Sequence, residues 1–145
     1  MGMMNDDQAK QHGIYTKHET MGNGERRFRL LHEDGSSYCR TESTQGAWQN
    51  SHFHKGITEL YVVQKGWIAF AELTTEDKVQ IRILNQGKDV KVKPFLAHNI
   101  YMSADSVIHT IKYGSSDIAT DWFASPKLDE HTRYLESMDL IRWQE

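Results

Sequence analysis

Between Arg26 and Phe123 the chain is written in short runs rich in β-branched and aromatic residues, and this limits the folds open to it. The runs are RRFRLLHED, SYCRTES, SHFH, TELYVVQ, WIAFAEL, VQIRIL, DVKVKP, HNIYM, SVIHTIKY and IATDWF. EDGSS, QKG, TTEDK, NQGKD, SADS and GSSD separate them as turns. So many short strands at near-regular spacing predict an all-β antiparallel sandwich or barrel, not a parallel sheet with intervening helices. At 145 residues the chain suits one domain with a real core.

The flanks read differently. Residues 1–24 are polar and methionine-rich, and predict an N-terminal arm with one short edge strand near Ile14–Lys17. The barrel is expected over 25–124. Beyond it, Ser125 suits a helix N-cap, Pro126 the first helical position, and Asp129 and Glu130 the first turn. Leu128, His131, Leu135, Met138 and Ile141 recur at helical spacing. One amphipathic helix from Pro126 to Arg142, laid on the barrel within segment 125–145, is the expectation.

The chemistry concentrates in GAWQNSHFHKGITELYVVQKG, Gly46 to Gly66. Side chains alternate along a strand, so His52 and His54 share a face. Lys55–Thr58 can turn the chain so that Glu59 opens the next strand. Two imidazoles and a carboxylate then converge, a ligand set that suits iron, manganese, cobalt, nickel or zinc. A histidine pair in a strand is more often solvated or packed; the glutamate and the flanking glycines in register favour the metal.

Gly46, five residues, His52, one residue, His54, four residues, Glu59, six residues and Gly66 resemble the first signature motif of the cupin superfamily. The resemblance implies an antiparallel jelly-roll β-barrel. It also implies a divalent metal (Fe, Mn, Ni or Zn) held at one mouth by His52, His54, Glu59 and a histidine from a second motif. GKDVKVKPFLAHNIYM is the candidate for that motif: it keeps Gly87 and Pro94 and offers His98 as fourth ligand. It departs from the family pattern at Leu96, where glycine is usual. Its proline-to-histidine spacing is one residue short, and Met102 stands where asparagine is common.

Strand parity extends the site. Trp48 and Asn50 share parity with His52 and are expected to line the pocket mouth; Tyr61 shares the face of Glu59. In SVIHTIKY the set Val107, His109, Ile111 and Tyr113 is the more apolar, so His109 is expected to point into the barrel, as a core residue or a catalytic acid/base. Asn99 and Tyr101 should face away from His98.

Other functions are disfavoured. The formal net charge of -3 favours neither nucleic acid nor an anionic membrane. The opening MGMMNDDQAK has no apolar h-region and is not expected to be a secretory signal. The lone Cys39 excludes a cysteine zinc cluster and suits a cytoplasmic protein. Phosphate-loop, serine-hydrolase and zinc-protease motifs are missing. The expectation is a metal-binding cupin acting on a small polar, carbohydrate-like metabolite by isomerase, epimerase or dioxygenase chemistry, or else a non-catalytic sensing module. A homodimer is expected, because the isolated IYTK strand needs a partner.

Overall fold

The computed structural model describes residues 1–114 and 120–143. After a short helix α1 (Asp6–Lys10) come strands β1 (Ile14–Thr20), β2 (Arg26–His32), β3 (Ser37–Glu42), β4 (Ala47–Trp48), β5 (His52–Phe53) and β6 (Ile57–Lys65). They are followed by β7 (Trp67–Leu73), β8 (Val79–Asn85), β9 (Asp89–Val92), β10 (His98–Met102), β11 (Val107–Gly114) and β12 (Phe123–Ala124). Helices α2 (Pro126–Thr132) and α3 (Ser137–Leu140) and a 3-10 turn, Ile141–Trp143, end the described chain.

The strands form two antiparallel sheets of a jelly roll. One has the order β1-β2-β3-β11-β6-β9, the other β12-β5-β10-β7-β8, with β4 also paired to β10. The core between them takes Tyr61, Val63, Val90, Val92 and Ile108 from the first sheet and Ile68, Phe70, Leu84, Ile100 and Met102 from the second. The second sheet is covered on its other face as well. Ala69, Ala71 and Tyr101 pack there against Leu128 and Leu140 of the C-terminal helices. This double burial is why WIAFAEL and HNIYM read as continuous apolar runs rather than alternating ones.

Three expectations change. The edge strand expected in the arm is present but longer and paired within the chain: Asn5 and Gln8 close a reciprocal cap on α1, and β1 pairs with β2 along its whole length, from Ile14↔His32 to Thr20↔Arg26. The strand therefore has its partner within the chain and needs no second copy to pair with.

The single C-terminal helix is instead two. Glu136 is extended (φ -111°, ψ 174°) and restarts the helix with a reciprocal Glu136–Asp139 cap, while Trp48 Nε1–H donates to the Leu135 carbonyl at 2.9 Å. The buried side chains are Leu128, Thr132 and Leu140, whereas His131, Met138 and Ile141 are exposed. In IATDWF only Phe123 is a strand residue, running on into Ala124; 118–119 lie outside the described residues.

Both glycines bounding the motif are sterically required. A Cβ on Gly46 would collide with Tyr101 Oη. Gly66 turns β6 into β7 at φ +77°, and a Cβ there would lie 2.8 Å from Ser106 Cβ. We expect Gly66→Ala to cost about 1–3 kcal/mol through backbone strain and this contact. A urea titration should show a lower midpoint at unchanged slope; an unchanged midpoint would contradict the assignment.

Candidate metal centre

His52 and His54 enter from β5 and the turn that follows it, Glu59 from β6, and His98 from β10, which pairs with β5 at His98↔His52. All four are buried. Glu59 Oε1 is the meeting point: His54 Nε2 lies 2.6 Å from it, His98 Nε2 3.1 Å and His52 Nε2 3.5 Å. Ligand atoms of His52, Glu59 and His98 all lie within 4.8 Å of one another, and His54 joins them through Glu59. Tyr61 Oη donates to the other carboxylate oxygen, Oε2, at 2.8 Å and lies 3.3 Å from His98 Nε2.

The outer nitrogen of each ring is also taken. His52 Nδ1 donates to the Asn50 carbonyl at 2.8 Å, His98 Nδ1 to the Leu96 carbonyl at 2.9 Å, and His54 Nδ1 to the Asp121 carbonyl. A neutral imidazole has one N–H. With that proton spent on a carbonyl, each Nε2 turns a lone pair toward a carboxylate oxygen. His52 Nε2 and His54 Nε2 are accordingly buried without a hydrogen-bond partner. Lone pairs facing a carboxylate repel unless a cation lies among them. Anchored Nδ1–H groups are the usual support of metal-ligating histidines, so this donor set fits a divalent transition metal.

The short second motif is explained locally. Lys93-Pro94-Phe95-Leu96 is a tight turn in which Phe95, not a glycine, takes the positive φ (69°). Pro94 precedes it, as a type II turn favours, and Leu96 N–H points to the Lys93 carbonyl at 3.4 Å. The turn delivers the Leu96 carbonyl to His98.

Electrostatics follow the packing. Burial alone would raise the Glu59 carboxyl, but contacts with His52, His54 and His98 outweigh it and hold the group well below the usual carboxylate range. Burial, assisted by His98, pulls His52 below the ordinary imidazole value despite Glu59. Burial and the Glu59 charge push the Tyr61 phenol well up, so it stays a neutral donor. Metal ligation needs unprotonated rings. Because His52 binds its proton less readily than a free imidazole (about 6.5), the metal should be retained at pH 7 and lost as pH falls below ~6. Metal content after dialysis at stepped pH checks this; retention that rises on acidification would contradict the sign.

The centre opens on a cavity of about 550 Å³, whose lining includes His52, Glu59 and Tyr61. Trp122 stacks on His52 at the rim, with ring centroids 5.4 Å apart and planes at 21°. Asp121 ties its segment to the site: its carboxylate accepts from the amides of Lys55 and Gly56 at 2.7 and 2.8 Å.

Three site expectations are corrected. His109 does not face the cavity. Lys112 pairs with Glu59 and Thr110 with Tyr61 across β11 and β6, so even-numbered residues of β11 point inward. His109 lies on the outer face, where Nδ1 meets Tyr38 Oη at 2.7 Å and Nε2 meets Gln64 Oε1 at 2.6 Å. The apolar count misled because Ile111 and Tyr113 are themselves exposed.

Trp48 lies on the far face of the second sheet, edge-on to Tyr101 and beneath the C-terminal helices. Asn50 is exposed and contributes only its carbonyl. Parity does not run through 49–51, because β4 and β5 are separate two-residue strands; Gln49 lines the cavity instead. Tyr61 is inward as expected. Asn99 and Tyr101 face away from the centre, Asn99 donating to the Gln49 carbonyl and Tyr101 meeting Ser137 Oγ.

Arg27, Arg29, Lys112 and Trp122 also line the cavity, and no sequence motif marks them. Their signal was the parity of RRFRLL, which puts Arg27 and Arg29 on one face and Phe28 and Leu30 on the other. Nothing local says that the charged face is the inner one.

No protein-family model and no curated protein matches the sequence. Solved structures do resemble it. Oxalate decarboxylase from Bacillus subtilis aligns with a TM-score of 0.64 at 14% identity, over 75% of this chain and 30% of that one. An oxalate oxidase aligns with a TM-score of 0.59 at 19% identity, over 74% of this chain and 58% of that one. The chain has a cupin fold. It spans about a third of the decarboxylase chain, so this single cupin barrel is compared with only part of that enzyme. Among the described residues, no helix is long and apolar enough to cross a membrane.

Proposed function

We propose that this cupin is a metal-dependent enzyme acting on a small polar metabolite, with one divalent transition metal on His52, His54, Glu59 and His98. The observation that carries the reading is the buried set of imidazole lone pairs aimed at one carboxylate oxygen beside an open cavity. A metal bound there would polarise a carbonyl or hydroxyl oxygen of the ligand. The protein groups do the rest. Backbone carbonyls orient the three rings, and Glu59 supplies the negative charge. Tyr61 holds a proton within hydrogen-bond reach of Glu59, and Trp122 shields the His52 side from water. Isomerase, epimerase or dioxygenase chemistry is compatible with this arrangement. The Bacillus decarboxylase has Mn(II) centres, which makes Mn(II) the first metal to try, ahead of Fe, Ni and Zn.

One observation favours a second reading, a non-catalytic binding or sensing module: the outward His109 leaves the cavity without the histidine acid/base that the sequence suggested. Turnover decides between them. Metal-loaded protein is incubated in air with a panel of hydroxy- and oxo-metabolites, and products are followed by NMR. Conversion that a chelator abolishes and added metal restores supports the enzyme. Binding of the panel compounds without conversion supports the module.

A further inference from the structure

The inner face of the first sheet carries charged side chains on β1 and β2 and again at Lys112 and Glu59, with neutral positions between. Register defines the rungs: Lys17–Arg29–Cys39–Thr110–Tyr61 lie side by side across five strands. The next rung is Leu31–Ser37–Lys112–Glu59. The middle positions, Ser37, Cys39, Thr41 and Thr110, are small and neutral and leave the cavity its volume. The backbones of Arg29 and Tyr61 are three strand steps apart, ~14 Å at ~4.8 Å per step, and both side chains reach into the one cavity between them.

The cationic side chains there are partly committed. Arg27 gives Nε and Nη2 to the buried Glu25, at 3.1 and 2.9 Å, and is thereby fixed in place. Arg29 is 18% exposed and gives Nη1 to Glu19, and no other nitrogen of its guanidinium has a partner among the described residues. Lys17 and Lys112 form no ion pair among the described residues, and both line the cavity. Glu19 and Glu33 are the carboxylates of the lining besides Glu59; Glu19 is held by Arg29, and Glu59 belongs to the metal.

We propose that the cavity takes a small organic anion in one orientation: an oxygen-donor end at the metal centre and a carboxylate or phosphate at Arg29 and Lys17. The neutral floor of Cys39 and Thr110 spans the gap, and Lys112, opposite Glu59, adds positive charge beside the centre. Guanidinium and ammonium groups with uncommitted donors recognise such anions by charge-assisted hydrogen bonds. The metal-binding end of this ligand rests on the function proposed above; the anion end rests on the cation cluster alone.

The test is calorimetric titration of metal-loaded protein with succinate and glycerol 3-phosphate, and with their neutral counterparts succinamide and glycerol. Metal content is measured on the same samples. At least one anion should bind, and more weakly as salt rises, with the neutral compounds at least about tenfold weaker, the worth of one charged hydrogen bond. A preference between succinate and glycerol 3-phosphate assigns the site to carboxylate or to phosphate. Arg29→Gln and, separately, the exposed Lys17→Met should each weaken anion binding by about tenfold or more at unchanged metal content.

Neutral compounds binding as well as the anions would overturn the proposal. So would anion affinity unmoved in both variants, or no anion binding at all. Protein lacking metal would count against the metal reading instead, since the Arg29 and Lys17 effects are still read on that sample.

Discussion

Replacing His98 with alanine should abolish stoichiometric metal binding. His98 comes from the irregular second motif, and it is fully buried with Nε2 3.1 Å from Glu59 Oε1. Its removal deletes one of four ligands and leaves His52 and His54 without the opposing ring. For the natural chain, metal at about 100 times its dissociation constant should stabilise the fold by roughly 2.7 kcal/mol. His98→Ala should gain nothing from the same metal. The comparison is made within each protein, with and without metal, so that the loss of a buried side chain cancels. A variant that still gains the full increment would show that the second motif supplies no ligand.

The largest stability effect is expected at Phe70. Its side chain is fully buried between the sheets and stacks on His98, with centroids 6.1 Å apart and planes at 26°. Phe70→Ala removes a ring from a core that relaxes only partially around the gap, at a cost of about 3–5 kcal/mol. That is a large part of the 5–15 kcal/mol typical of a whole domain. Denaturant unfolding reads it directly. The variant should also bind metal more weakly, because the wall that holds the His98 ring is gone. A loss below about 1 kcal/mol would mean that the packing between the sheets is not as described.

The parts of the molecule that could be read from sequence are those whose signal is local. His52, His54 and Glu59 stand close together in the chain, and strand alternation puts the histidines on one face whatever the rest of the fold does. The runs that became β2, β3, β6, β7, β8 and β11 announced themselves by β-branched and aromatic content between turn residues. β1 was half legible, because six of its seven residues are exposed and it needs no apolar pattern to pair with β2.

Facing was not legible where polarity inverts. β2 points Arg27 and Arg29 inward and Phe28 and Leu30 outward, and β11 does the same with Lys112 and Ile111. A lined, water-accessible cavity reverses the usual rule that apolar means inside. Asp121 anchors His54 from 67 positions away, and Trp122 covers His52; pairings over such separations leave no periodicity to read. The break after Thr132 comes from Trp48 and from the Glu136 cap, again contacts beyond the reach of helical spacing.

One metal ion is expected among the side chains of His52, His54, Glu59 and His98. X-ray diffraction from crystals of protein purified with Mn(II), recorded on both sides of the manganese absorption edge, tests it most directly. One anomalous peak per chain is expected, bordered by Nε2 of His52, His54 and His98 and by a carboxylate oxygen of Glu59. A peak elsewhere, or none at that position in protein shown by elemental analysis to carry stoichiometric manganese, would contradict it.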